Sequence, residues 1–65
     1  MTKREYLEKL ARGLRPLPKE ERRRQLDYYE EMLSDRMDEG LDEADAVAAM
    51  DPPETVIDRV LREYV

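Results

Sequence analysis

The chain has 65 residues, of which 40% are hydrophobic and 45% are charged, and its formal net charge is −5. A chain of this length forms one domain, and folding hides only about 60% of the surface that the unfolded chain exposes. Because the sequence contains no cysteine and no histidine, it excludes disulfides, thiolate nucleophiles, sulfur-ligated metals and the usual general base near neutral pH.

The first predicted helix spans about residues 3–14. Thr2, followed three residues later by Glu5, has the form of a capping box, in which the hydroxyl and the carboxylate each satisfy a free backbone N–H. Gly13 weakens the last turn, and Pro16 ends the helix because it lacks an N–H and clashes with the preceding turn. The apolar side chains recur at helical spacing and form one stripe, which consists of Tyr6, Leu7, Leu10, Ala11 and Leu14.

The second predicted helix is the longest and spans about residues 18–39. Pro18 suits its first position, because the missing N–H has no intrahelical partner there. Gly40 is the expected stop, since glycine readily adopts the left-handed conformation that caps a helix. The apolar sector covers nearly half of the circumference, which suits a helix that touches two neighbours. It contains Leu26, Tyr28, Tyr29, Met32, Leu33 and Met37.

A third, short helix is predicted over about residues 43–50. Asp42 can cap its start, and Leu41 can pack against it as a hydrophobic staple. The helix has a face of small side chains that permits a close approach to a neighbour, formed by Ala44, Val47, Ala48 and Met50.

The fourth predicted helix spans about residues 53–64 and follows a break at Pro52, with Pro53 in its first turn. Its pattern reaches Val65 without a Gly, Asn or Pro stop, so we expect the natural chain to continue. No strand pattern competes, because nothing alternates with period two. The predicted fold class is therefore all-α, a small bundle of about four helices in a single domain, residues 1–65. The apolar side of the fourth helix consists of Val56, Ile57, Val60, Leu61 and Tyr64.

Catalysis finds little support in the sequence. Apart from lysine and tyrosine side chains, the available nucleophiles are the hydroxyls of Thr2, Ser34 and Thr55, and none has an obvious activating partner. The seventeen acidic side chains are better explained as solvated helix faces and caps. We therefore expect that the protein is not an enzyme and binds no cofactor.

The acidic residues around Gly40 suggest a calcium loop, and this reading can be tested by position. With Gly40 at loop position six, Met37 falls at position three and Ala46 at position twelve. A calcium loop needs an oxygen ligand at position three and a bidentate Glu at position twelve. The pattern therefore fails twice, and we expect no metal site.

The net charge conceals an uneven distribution. Residues 1–24 carry nine basic and four acidic side chains, a charge of +5, whereas residues 25–65 carry three basic and thirteen acidic ones, a charge of −10. The two parts can attract each other in the fold, or each can face a different partner. Direct nucleic-acid binding is disfavoured, because Arg22, Arg23 and Arg24 point about 100° apart on a helix and no aromatic residues interleave with them.

Protein binding is the favoured class of function. The apolar sector of the second helix is wider than one neighbour requires, and Tyr and Met are common at adaptable interfaces. A core position is the preferred interpretation for Tyr29, while core and interface stay open for Tyr28 and Met32. The candidate partner-binding residues are Tyr28, Tyr29, Met32 and Arg36.

Five short segments follow one another in a characteristic order and spacing. They are residues 2–7 (TKREYL), 17–22 (LPKEER), 26–31 (LDYYEE), 39–40 (EG) and 46–50 (AVAAM). In this order they resemble the HAAS-type helical domains found at the cytoplasmic N-terminus of bacterial membrane proteins. One departure concerns the loop before the last helix, where Asp51 and Pro52 stand in place of the Gly-Asp or Gly-Ser pair that is typical of the family.

The resemblance implies a signalling or regulatory module. Domains of this type look like partners of PadR-type transcriptional regulators, are often encoded beside them, and are followed by membrane-spanning segments. We therefore expect a cytoplasmic domain at the inner face of the membrane, the N-terminal part of a longer protein, that reaches the membrane only through a following segment. Our hypothesis is that it binds the regulator by a helix-in-groove contact and couples the regulator's availability for DNA to an event at the membrane. The alternative is a structural module through which the parent membrane protein self-associates.

Overall fold

The structure is a computed structural model, and it describes residues 1–64. The all-α prediction is confirmed, since these residues form a small bundle of four helices and contain no strand. The helices are α1 (Lys3–Gly13), α2 (Lys19–Asp38), α3 (Glu43–Ala48) and α4 (Pro53–Glu63). Val65, on which the expectation of a continuing chain depends, lies outside the described residues.

The start of α1 is the capping box that the sequence predicts. The Glu5 backbone N–H donates to Thr2 Oγ1 at 3.1 Å, and the Thr2 backbone N–H donates to Glu5 Oε1 at 2.8 Å. The hydrogen bond from the Thr2 N–H stabilises the ionised carboxylate and so lowers the pKa of Glu5. Two backbone donors that a helix start leaves free are thereby satisfied.

The start of α2 lies one residue later than Pro18 predicts. Pro18 is the N-cap residue rather than the first helical residue, with φ −55° and ψ 149°. Its extended ψ still lets the carbonyl accept a hydrogen bond from the Arg22 N–H at 2.9 Å. Proline is tolerated in this position because neither the N-cap nor the first helical residue needs an N–H.

The end of α2 is fixed by Gly40, as predicted. Gly40 has φ +107°, in the region that glycine adopts without strain. Its N–H donates to the Met37 carbonyl at 3.0 Å, and the Leu41 N–H donates to the Arg36 carbonyl at 3.2 Å. These two bonds form a Schellman motif, which satisfies carbonyls that the last turn of a helix leaves free.

The core is built around α1. Tyr6, Leu10 and Leu14 are each at most 1% exposed, and α1 packs against α2, α3 and α4. The third helix also packs against α2, whereas the backbones of α2 and α4 stay apart. The remaining buried core side chains are Leu17, Tyr29, Leu33, Ala46, Val47, Val56 and Val60.

The packing face of α3 differs from the predicted one. Val47 is buried as expected, but its buried companion is Ala46, while Ala44 and Ala48 are exposed and Met50 is half-buried. Because α3 has only six residues and ends at Ala48, it contacts its neighbours along a narrow edge rather than a broad face. Met50 lies beyond the helix and packs against the core from the loop.

The predicted cap and staple of α3 are not formed as expected. Asp42 is the N-cap residue, but its carboxylate makes no capping hydrogen bond, and its backbone carbonyl accepts from the Ala46 N–H at 2.8 Å. Leu41 remains 40% exposed and is not part of the core. The Schellman motif holds its backbone at the end of α2, so the position of Leu41 is set by α2.

Gly13 lies directly against Ile57 of α4. A Cβ atom at position 13 would lie 2.6 Å from Ile57 Cγ1 and 2.9 Å from Ile57 Cγ2, both shorter than normal van der Waals contact. The φ of Gly13 is not in the left-handed region. Space for Ile57 is therefore the reason that this position favours glycine, since the missing Cβ lets α1 and α4 approach closely here.

We expect Gly13→Ala to destabilise the domain by about 1–3 kcal/mol through overpacking, although alanine is the better helix former by about 1 kcal/mol. The measurement is the free energy of unfolding in urea. Ile57→Ala is the matched partner, because it removes the colliding atoms. In the Ile57→Ala background, Gly13→Ala should leave the free energy of unfolding unchanged or raise it. If the losses of the two single variants simply add in the double variant, this explanation is contradicted.

Candidate protein-interaction site

A cleft lies beside Tyr29, between α2 on one side and the loop after α3 together with α4 on the other. We call it the α2 cleft, and it has a volume of about 140 Å³. All four predicted partner-binding residues line it, because Met32 and Arg36 follow the tyrosines at one-turn intervals and so share a face of α2. The opposite wall comes from the loop after α3 and from α4. The lining residues are Tyr28, Tyr29, Met32, Arg36, Ala49, Met50, Asp51 and Arg59.

The two tyrosines occupy different depths of the α2 cleft. Tyr28 is 55% exposed at the rim, whereas Tyr29 is 6% exposed and belongs to the core. Their ring centroids are 5.0 Å apart with the planes at 84°, an edge-to-face pair that holds the exposed ring in a preferred arrangement. Met32 is half-buried against the core. The wall thus presents an oriented aromatic ring and an adaptable thioether.

Arg59 connects the two sides of the cleft. One terminal nitrogen, Nη2, donates to the Tyr29 hydroxyl at 3.0 Å, and the other, Nη1, donates to Asp51 Oδ2 at 3.2 Å. The hydrogen bond to Tyr29, and then the one to Asp51, raise the pKa of the Arg59 guanidinium. The Asp51 backbone carbonyl in turn accepts from the Tyr6 hydroxyl at 2.6 Å. A chain of hydrogen bonds therefore runs from the core of α1 to the cleft.

The sequence reasoning missed Arg59, Asp51 and the polar role of Tyr6. Asp51 and Arg59 are separated by a Pro-Pro break, so no helical periodicity relates them. The apolar stripe of α1 explains the burial of the Tyr6 ring but not the role of its hydroxyl, which reaches a loop 45 residues away in sequence. The one available signal was a pair of opposite charges flanking the start of the last helix, which many chains contain by chance.

Arg36 lines the cleft with hydrogen-bonding capacity that the described residues leave unused. Its Nε is buried and has no hydrogen-bond partner within residues 1–64. Over the same residues, the guanidinium forms no ion pair within 4.0 Å. A buried donor without an acceptor is costly, so a partner that lets the partly exposed Arg36 side chain shift onto an acceptor would be favoured at this point.

Two further observations concern metal sites and membrane-spanning helices. In the part of the chain that it describes, no group of three or more acidic side chains is arranged to hold a metal ion. None of the helices of residues 1–64 combines the length and the apolar content that a bilayer crossing requires.

Comparison with known proteins identifies one family. The HAAS family model matches residues 5–64, a range that includes all four helices except the first residues of α1 and contains every residue of the α2 cleft. The chain matches no curated protein and no solved structure.

The hydrogen bond from Tyr6 leads to a prediction about pH. Burial, followed by the nearby Tyr29 and Asp51, raises the pKa of Tyr6 from 10.0 to about 12. Between these values the unfolded chain loses the phenolic proton while the folded chain retains it, so stability should fall as pH rises through this window. At neutral pH, Tyr6→Phe should cost about 1 kcal/mol, because the Asp51 carbonyl loses its donor.

The measurement is urea unfolding of the protein and of Tyr6→Phe at pH 7 and at several values from about 10 to 12, the window given by the two pKa values. The informative quantity is the difference between the two proteins in how the free energy of unfolding changes across this pH range. Tyr64→Phe is the control, since Tyr64 is 46% exposed. Equal pH dependence in all three proteins would refute the role assigned to Tyr6.

Proposed function

This chain belongs to the HAAS family, and we propose that it is a non-enzymatic regulatory module that binds a partner protein through the α2 cleft. HAAS domains are small helical domains of the interaction type, which is consistent with a signalling or regulatory role. The proposal adds to this the surface used and the identity of the partner.

The observation that carries the proposal is that Arg36 and Tyr28 line the same cleft. Arg36 has a buried nitrogen without an acceptor in residues 1–64, and Tyr28, two turns earlier on α2, is 55% exposed. Arginine and tyrosine are enriched among the residues that dominate binding energies at protein interfaces. A partner that offers an acceptor to the Arg36 guanidinium and covers Tyr28 would bind the charged group and bury the ring at the same time.

We propose a PadR-type transcriptional regulator as the partner. The support is the resemblance of the segments described above to HAAS domains that accompany such regulators. The charge of the domain agrees with it, because residues 25–65 carry −10 and a DNA-binding protein has a basic surface. Complementary charge of this kind speeds association and favours the correct partner.

In this proposal the domain lies in the cytoplasm and is linked to a membrane segment outside this chain. A regulator held by the domain is withdrawn from DNA, or released to it, when an event at the membrane changes the domain's affinity. Such coupling requires only that the two states of the membrane protein bind the regulator with different free energies.

The test is the affinity of the domain for the PadR-type regulator encoded nearest to its gene, measured by titration calorimetry. Tyr28→Ala and Arg36→Met should each weaken binding by at least about 30-fold, the effect of losing roughly 2 kcal/mol. The matched controls are Tyr64→Ala, at an exposed tyrosine outside the α2 cleft, and Arg23→Met, at an exposed arginine. Both controls should stay within about twofold of the unaltered domain, which is below 0.5 kcal/mol.

Arg36→Met also separates binding from folding. It retains an apolar stem and removes the unpaired donor, so it should leave the unfolding midpoint unchanged or raise it. If the domain fails to bind the regulator at tens of micromolar but sediments as a concentration-dependent dimer, the function is self-association of the parent protein and the proposal is wrong.

A further inference from the structure

A second concave surface lies between the first two helices. This α1–α2 groove has a volume of about 480 Å³. Its apolar lining consists of Leu7 and Ala11 of α1 and Leu26 of α2, and all three are half-buried. None of these residues lines the α2 cleft, so the groove is a separate surface.

The two walls of the groove are antiparallel helices, because the start of α1 lies beside the second half of α2. The Lys3 Nζ donates to Ser34 Oγ at 3.0 Å, while at the other end Ala11 and Leu26 line the groove together. Leu7 and Ala11 are one turn apart and face the same way. A helix from another protein, with apolar residues at one-turn intervals, matches such a surface.

The charges around the groove are unequal on its two walls. On α1, Arg4 Nε pairs with Glu8 Oε1 at 2.9 Å, so these two charges offset each other. On α2, Asp27 and Glu30 make no ion pair within 4.0 Å in the described part of the chain. Glu43, which also lines the groove, is likewise without an ion pair there. Three carboxylates thus stand against one ammonium group, that of Lys3.

We propose that the α1–α2 groove docks an amphipathic helix of a partner protein, with basic side chains along the edge that faces α2. The apolar stripe of that helix would cover Leu7, Ala11 and Leu26. Its basic side chains would then lie beside Asp27 and Glu30, which form no ion pair among residues 1–64. Charge of this sign also fixes the orientation of the incoming helix, because the α1 wall carries the Lys3 ammonium group and an offset Arg4–Glu8 pair and so does not attract basic side chains.

The same charges disfavour the other possible occupants. Two copies of a chain of net charge −5 would bring the carboxylates of both grooves together. Anionic lipid and nucleic acid would be repelled by the α2 wall. A basic helix alone combines the apolar contact with a favourable field.

Two synthetic helices of about 20 residues, long enough to be helical in water, are the probes. Both carry the same Leu and Ala stripe, one flanked by Lys and the other by Glu. Titrated into isotopically labelled domain, the Lys helix should shift the amide resonances of Leu7, Ala11 and Leu26 with a Kd of about 100 µM or tighter. The Glu helix should bind at least about tenfold more weakly.

A charge-reversal variant makes the test specific to the groove. In the double variant Asp27→Lys with Glu30→Lys, the preference should reverse, so that the Glu helix binds more tightly. The control is Asp35→Lys with Asp38→Lys, which makes the same change in net charge at exposed positions of α2 outside the groove. It should retain the preference for the Lys helix. Circular dichroism melting shows whether each variant is folded.

Three results would overturn the inference. The first is no binding of the Lys helix, and the second is an equal loss of preference in both double variants, which indicates charge attraction without a site. The third is a dimer of the domain that Ala11→Trp dissociates, which shows that a second copy covers the groove. Each leaves the regulator titration with Tyr28→Ala and Arg36→Met unaffected, so failure here is distinct from failure of the proposed function.

Discussion

The burial of one face of α1 determines how the other helices are arranged. Tyr6, Leu10 and Leu14 are at most 1% exposed because α1 packs against each of the other three helices. A chain of 65 residues has too little apolar surface for two cores. With α1 in the centre, α2 and α4 lie on different sides of it and their backbones do not meet. The open space that remains beside α2 is therefore a direct consequence of how this small core is filled.

Polar contacts then give that open space a defined shape. The Tyr6 hydroxyl, on the buried face of α1, donates to the Asp51 carbonyl, and Arg59 donates to both Asp51 and Tyr29 across the gap. The Arg59–Asp51 pair is about half-exposed on both sides, and such pairs contribute little to stability. Their effect is on geometry, because they orient the wall that faces Tyr28 and Arg36. The core and the candidate site are thus connected through the side chain of Tyr6.

The features that sequence predicted well are local ones. The capping box at Thr2, the stop at Gly40 and the four helices each depend on a few neighbouring residues, so a single sequence specifies them. The choice of Ala46 over Ala44 and Ala48, the contact of Gly13 with Ile57 and the bridge made by Arg59 depend on how helices pack. The four candidate residues could be grouped in advance because they share one face of α2. The opposite wall of the α2 cleft could not be predicted, since it comes from segments that no periodicity relates to α2.

The uneven charge of the sequence takes on a specific meaning in the structure. Attraction between the basic first part and the acidic remainder was one interpretation, but within the described residues no ion pair joins residues 1–24 to residues 25–64. Four of the five pairs join residues three or four positions apart on one helix. Most acidic side chains of the second part are therefore unpaired, and their mutual repulsion is an unfavourable term in the isolated domain. A basic partner of the kind proposed for the two surfaces of α2 would remove part of this repulsion on binding.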